Sequence, residues 1–232
     1  MNYVILNGKD SRDIRGLIIQ SLPSIVKPNI RTTTEEIDGR DGDIVTKLGY
    51  SAYDKEMTIG LYGDYDFDAI MPFFDSEGQV TFSNEPDKYY NYMILNEIEF
   101  ERLIRFKTAK VTLHVQPFKY STIEKVKVFD NPDGAVTVRN TGNYIARPII
   151  SIVGSGIINL YLNGIQAFKI ELGDQKGITI DTAEMEAYNG GVLMNRTVTG
   201  SYDNFIFRKG LNTVSWDGTI TKLSIQNYSR WL

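Results

Sequence analysis

Apolar residues along this chain recur mostly at every second position, in short runs broken by Gly, Asn, Asp and Pro. That pattern predicts strands and turns rather than long helices. The first half opens with a strand-like YVIL (3–6) and a turn at Asn7-Gly8. A second apolar run, IRGLIIQSL (14–22), stops at Pro23, with Pro28 close behind. RTTTEEI (31–37) and the turn-like DGRDGD (38–43) precede the alternating segment KEMTIGLYG (55–63), which places Met57, Ile59 and Leu61 on one face. The best helix candidate is DYDFDAIMPFF (64–74). Asp64 or Asp66 can cap it, first-turn carboxylates suit the helix dipole, and Pro72 limits its length. Residues 78–103 read as strand, turn and long strand, and LIRFKTAKVTLHV (103–115) as a further strand pairing back on it.

Around QPFKYSTIEK (116–125) the pattern breaks, with Pro117 expected to end the preceding strand. This divides the chain into a first domain over 1–122 and a second over 123–232. The second half reads as about ten short strands: 126–129, 135–140, 147–154, 158–164, 166–173, 177–181 and the later runs GVLMN, DNFIFRKG, NTVSWDG and TKLSIQNYSRWL. Asn163-Gly164 and Asp217-Gly218 are the strongest hairpin signals. The expected fold is mainly β: a β-rich α+β N-terminal domain, then a C-terminal antiparallel β-sandwich.

Composition narrows the function classes. Hydrophobic residues make up 42% and charged residues 23%, enough to bury a core. No apolar run approaches the ~18 residues of a membrane span, so no membrane insertion is expected. MNYVILNGKDSRD lacks a basic region followed by an apolar run, so no signal peptide is expected. With Cys 0, disulfides, thiolate metal sites and cysteine nucleophiles are excluded. A net charge of −4 argues against specific nucleic-acid binding. The charge is uneven: residues 1–122 carry 14 basic and 19 acidic side chains, and between Glu35 and Glu77 twelve acidic residues face three basic ones. Such a region is a solvated face or half of a charge-complementary contact.

The stretch DGRDGDIVTKLG (38–49) looks most like a site. As an EF-hand it fails: from Asp38, the third position is Arg40, the fifth Gly42 and the twelfth Gly49. A looser calcium site from Asp41 and Asp43 stays open, whereas three carboxylates exclude a phosphate cradle. The better reading is a tight turn in which Gly39 and Gly42 supply positive φ. His114 alternates with Val111, Leu113 and Val115 and reads as structural. The chain has no GxSxG elbow. Asp181, Glu184 and Glu186 are close enough for a carboxylate pair but read as turn residues. No cofactor is expected, and the chain is not expected to be an enzyme. Tyr89–Tyr92 and Tyr50–Tyr53 form a sugar-stacking platform, a protein interface or core.

The order of several motifs resembles the siphophage distal tail protein (Dit) family. They are Asn140-Thr141-Gly142, then Ala146-Arg147-Pro148-Ile149-Ile150, Gly154-Ser155-Gly156, Leu162-Asn163-Gly164, Ile178-Thr179-Ile180-Asp181 and Tyr188-Asn189-Gly190. The ending runs from Lys209-Gly210-Leu211-Asn212 through Trp216-Asp217-Gly218 to Ser229-Arg230-Trp231-Leu232. In the first half, Gly39-Arg40-Asp41-Gly42-Asp43 with Tyr50 and Tyr53 is similar to that family's hairpin, and Gln116-Pro117-Phe118 to its domain passage. The resemblance implies a virion protein assembled in the bacterial host cytoplasm. It would form a homo-oligomeric, generally hexameric hub ring at the distal end of a long non-contractile tail. The N-terminal domain would build the ring and a galectin-like sandwich would project outward. Implied partners are the tail tube protein, the tail tip or tail-associated protein and a receptor-binding protein. Asp38, Arg40, Asp41, Asp43, Tyr50 and Tyr53 become the interface candidates. The alternative is a carbohydrate-binding module of a phage adhesion device that recognises host saccharide; a glycan-cleaving enzyme ranks last.

Overall fold

Turn chemistry and strand alternation shape the first part of the chain directly. The computed structural model describes residues 1–232 except Ser76, Asn96 and Gln175, and the chain divides into two compact units, Met1–Thr122 and Ile123–Trp231. In the first unit β1 (Val4–Leu6) and β2 (Lys9–Asp10) form a hairpin closed by Asn7 and Gly8, at φ 51° and 80°. That is the backbone of a two-residue type I′ turn. Further along come β3 (Leu17–Ser21), β4 (Ile30–Glu36), β5 (Asp43–Tyr50), β6 (Tyr53–Leu61), β7 (Glu77–Phe82), β8 (Lys88–Met93) and β9 (Thr108–Ser121). All but β4 and β5 join one antiparallel sheet in the order β2-β1-β7-β8-β9-β6-β3.

Period-two patterning fills one core in this unit. Met57, Ile59 and Leu61 are buried, with Val80 and Phe82, Tyr90 and Tyr92, and Val111, Leu113 and Val115. Ile70 and Phe73 from α1 (Phe67–Phe73) and Leu103 from α2 (Phe100–Phe106) pack into the same cluster. Asp66 caps α1, its carboxylate accepting from the Ala69 N–H at 3.2 Å.

Two expectations need correction in this unit. Residues 100–106 form α2 rather than a strand. Leu103 reaches the core while Ile104 and Phe106 are exposed, so the segment buries one helical face instead of alternate positions. Pro117 does not end its strand: β9 runs through it to Ser121. The register jumps from Tyr92↔Val115 to Tyr90↔Lys119. The extra residues of β9 bulge there, where a proline gives up no needed ladder donor.

The second unit contains β10 (Lys127–Asp130), β11 (Ala135–Asn140), β12 (Ile149–Leu162), β13 (Ile165–Glu171), β14 (Gly177–Asp181), β15 (Glu186–Asn189), β16 (Val192–Leu193), β17 (Val198–Gly200) and β18 (Gly210–Gln226). Here two predicted strands fuse into β12 and two more into β18. Asp217-Gly218, read as a hairpin turn, lies inside β18 where the β12–β18 register shifts. Gly218 has φ 105°, and a Cβ there would meet the Ile157 carbonyl oxygen. Turn-like chemistry therefore marks a bulge, because positive φ serves both. Asn163-Gly164 does close the β12–β13 hairpin, at φ 51° and 82°. Residues 202–209 form no strand; they contribute a 3₁₀ turn at Tyr202–Asn204 and an isolated bridge from Phe207 to Ala146.

These long strands build both layers of a sandwich. The first half of β12 (149–153) pairs with β14 and with residues 222–226 of β18; its second half pairs with β13 and the front of β18. Ile150, Ile152, Ile158, Leu160 and Leu162 all enter one core cluster. One strand can supply both halves of that core only if it bends at the bulge between them.

Candidate functional site

The strands β4 and β5 pair only with each other, from Ile30↔Tyr50 out to Glu36↔Asp43. Every residue from Arg31 to Leu48 is exposed, Ile44, Val45 and Leu48 included. The six-residue tip, Ile37–Gly42, starts with a β-turn in which the Arg40 N–H donates to the Ile37 carbonyl at 3.1 Å. Gly39 and Gly42 take φ 81° and 76°, conformations that disfavour a Cβ. This is the tight turn expected for DGRDGD, carried at the end of a free ribbon. Seven residues of β4 reach about 23 Å at ~3.3 Å each.

The ribbon concentrates acidic charge at its tip. Asp38, Arg40, Asp41 and Asp43 come together at the exposed tip. Glu36 and Asp43 sit directly opposite one another, a like-charge pair that weakens a two-stranded ladder. Among the described residues no ion pair neutralises Glu35, Glu36, Asp38, Asp41 or Asp43, and no cluster of three His, Asp or Glu side chains is placed to hold a metal.

In contrast, the root of this arm is clamped. The Tyr50 ring meets Phe118 edge-on at 5.7 Å. The Ser51 N–H donates to the Asn29 carbonyl at 2.9 Å, and Asn84 Nδ2 to the Pro23 carbonyl at 3.2 Å. Lys55 Nζ donates to the Ser24 carbonyl at 2.8 Å, fixing the strap that leads out to the arm. Tyr53, the sixth interface candidate, lies half-buried beside this clamp, its ring 5.6 Å from Lys55 Nζ.

Behind the clamp lies a buried charge network that the sequence reading missed. Glu85 accepts from Lys119 Nζ at 2.7 Å and from the Tyr90 hydroxyl at 3.0 Å. Lys55 is 3% exposed and lies 4.9 Å from the Tyr90 ring centroid. A signal was available: Lys55 continues the core-facing positions of Met57, Ile59 and Leu61, and Lys119 those of Val111, Leu113 and Val115. A charge at core parity calls for a buried partner. Burial drives the Tyr90 phenol well above its ordinary range, helped by charge repulsion from Tyr53 and Glu85.

Burial also lowers Lys55 from 10.5 to about 8, with Lys119 adding to it and Glu85 opposing. Below about pH 8 both folded and unfolded chains hold this proton and the burial cost is fully present. Between about 8 and 10.5 the unfolded chain binds more proton, so the Lys55 contribution to stability rises with pH. The difference in urea midpoint between the wild type and Lys55→Met is expected to shift in favour of the wild type from pH 7 to 10. A pH-independent difference refutes this assignment.

Other candidates have ordinary structural roles. Asp181 Oδ1 accepts from the Ala183 and Glu184 N–H groups at 2.9 and 3.1 Å, a turn cap. His114 Nδ1 lies 2.8 Å from Asp54 on the neighbouring strand. Tyr90 and Tyr92 are core residues, and Tyr89 stacks on Tyr120 with centroids 5.5 Å apart, so this cluster offers no open aromatic platform. On the sandwich, the Tyr161 hydroxyl donates to Asp217 at 2.8 Å and Gln166 Nε2 to Asn159 at 3.4 Å, polar groups that satisfy one another.

No protein-family model and no curated protein sequence matches the chain. Solved structures do. The phage SPP1 Dit protein, presented as a paradigm of the hub adsorption apparatus in phages infecting Gram-positive bacteria, aligns over 100% of both chains with TM-score 0.68 and 16% identity. A chain of the phage P2 baseplate in its activated conformation with Ca aligns over 98% of this chain and 97% of that one, with TM-score 0.51 and 12% identity. At these identities the likeness is one of fold: along its whole length, this chain has the fold of the Dit hub protein.

Proposed function

We propose that this protein is a non-enzymatic structural component of a phage tail. It assembles as a homo-oligomeric, hexameric hub ring at the distal end of a long non-contractile tail, joining the tail tube to the tip or baseplate proteins. The full-length fold likeness to a hub protein and to a baseplate chain supports this reading. The observation that carries it is the arm: eighteen consecutive exposed residues, 31–48, in an isolated two-stranded ribbon with exposed aliphatic side chains. An isolated hairpin is marginal in water, and an uncovered strand edge invites pairing with another chain. Closure into a ring covers such surfaces without leaving a free end. Tail tube, tip and receptor-binding proteins are the partners expected above and below the ring, in the virion tail after assembly in the host cytoplasm.

Light scattering and negative-stain images of the purified protein test the proposal. The expected result is a six-fold ring with a central channel. A stable monomer at micromolar concentration overturns it.

A further inference from the structure

We infer that the arm of one copy docks on the α2 face of the next copy, its acidic tip seated against Arg102, Arg105 and Lys107. This rests on the ring reading above and names the two surfaces that would close the ring. The arm tip supplies half of the match. Glu35, Glu36, Asp38, Asp41 and Asp43 stand against the single cation Arg40, and Ile37, Ile44 and Val45 are 44%, 36% and 57% exposed among them. Glu36 opposite Asp43 holds two negative charges together in the free arm, a repulsion that a basic surface relieves.

The other half is the end of α2. Ile104 and Phe106 are 43% and 62% exposed there, beside a hollow of about 390 Å³ lined by Phe100, Arg102, Arg105 and Phe106 with Glu99 and Glu101. Among the described residues, Arg105 meets the Phe106 ring, 5.3 Å away; Arg102 has a loose contact with Glu99 at 3.8 Å; Lys107 Nζ donates to the neutral Tyr65 hydroxyl. Five other basic side chains of this unit are held in ion pairs, Arg12 with Asp10, Arg15 with Asp64, Lys88 with Asp87, Lys110 with Glu56 and Lys119 with Glu85, whereas Lys9, Lys27, Arg31, Arg40 and Lys47 have none among the described residues. At the end of α2, however, three cations within six residues stand beside exposed apolar area, complementary in both respects to the arm tip. Glu99 and Glu101 at the rim of the hollow offer counterparts to Arg40.

The arm does not occupy its own α2, since all of residues 31–48 are exposed. The two patches differ, so the contact is head-to-tail, the kind that closes rings rather than two-fold dimers.

The cysteine-free sequence makes the contact directly testable. Asp41→Cys and Arg105→Cys proteins are prepared separately, with different tags, then mixed and treated with a short bismaleimide. Cross-linked dimers joining the two tags, and little product from either protein alone, are expected. Cross-linking of Asp41→Cys by itself means that arms pair with arms and overturns the proposal. Intact rings without cross-linking overturn the docking site and leave the ring standing. Monomers throughout remove both readings. As a second measurement, Asp41→Lys/Asp43→Lys and Arg102→Glu/Arg105→Glu are each expected to fall to monomer mass, and the four changes combined in one chain to recover the assembled mass. A combined protein that stays monomeric also overturns the docking site.

Discussion

Excision of Thr32–Leu48, with Arg31 and Gly49 rejoined through Asn-Gly, is expected to abolish assembly while leaving the fold almost untouched. Arg31 and Gly49 are cross-strand partners, so a two-residue turn bridges them in the existing geometry. Nothing in the removed segment is buried, hence no core contact is lost. The root survives as well: Tyr50 on Phe118, Ser51 bonded to Asn29 and Lys55 on the Ser24 carbonyl all lie outside the cut. Surface changes away from such features shift stability by about 0.5 kcal/mol or less. The urea transition should therefore be nearly unchanged, while light scattering shows monomer. An excised protein that still forms its full-mass assembly assigns the arm no part in ring closure.

Glu85→Leu is expected to be the most damaging single substitution in the first unit. Glu85 is the anion in direct contact with Lys119, and its charge also favours the buried Lys55 ammonium. Lys119 and Glu85 side chains are only 8% and 12% exposed, so water does not take over when the carboxylate is removed. Breaking a buried pair on one side costs about 3–5 kcal/mol, because the surviving charge stays desolvated. Glu85→Gln should cost less, since an amide oxygen still accepts from Lys119 and Tyr90. Trp216 belongs to the core of the second unit, so in a Trp231→Phe background tryptophan fluorescence reports on the sandwich and serves as the internal control. The first-unit transition, followed by hydrogen exchange, should move to lower urea while the tryptophan transition stays in place. A loss below about 1 kcal/mol would show that Lys119 and Lys55 are not held by this carboxylate.

The sequence is legible where one short-range rule decides the outcome. Met57-Ile59-Leu61 alternates and is buried as a row, and Asn7-Gly8 and Asn163-Gly164 turn where they should. It misleads where two local signals coincide. The stretch Ile98–Glu99–Phe100–Glu101 alternates like a strand, yet Leu103 reaches the core from a helix. Asp217-Gly218 carries hairpin chemistry, but the carbonyl of Ile157 opposite it decides for a bulge. At the candidate site the tip of the arm could be read as a turn from its glycines. That both flanking strands leave the core could not: RTTTEEI and DIVTKL mix polar and apolar residues as a half-buried strand does. Glu85 lies far from Lys55 and Lys119 in sequence, and only the sheet brings them together.

The long strands of the sandwich have a mechanical consequence. β12 and β18 belong to both layers, so one layer cannot peel from the other without tearing strands it shares. Tension along these strands loads their common ladder in shear, where many hydrogen bonds must yield at once instead of one after another. A module built this way transmits a pull as a stiff link.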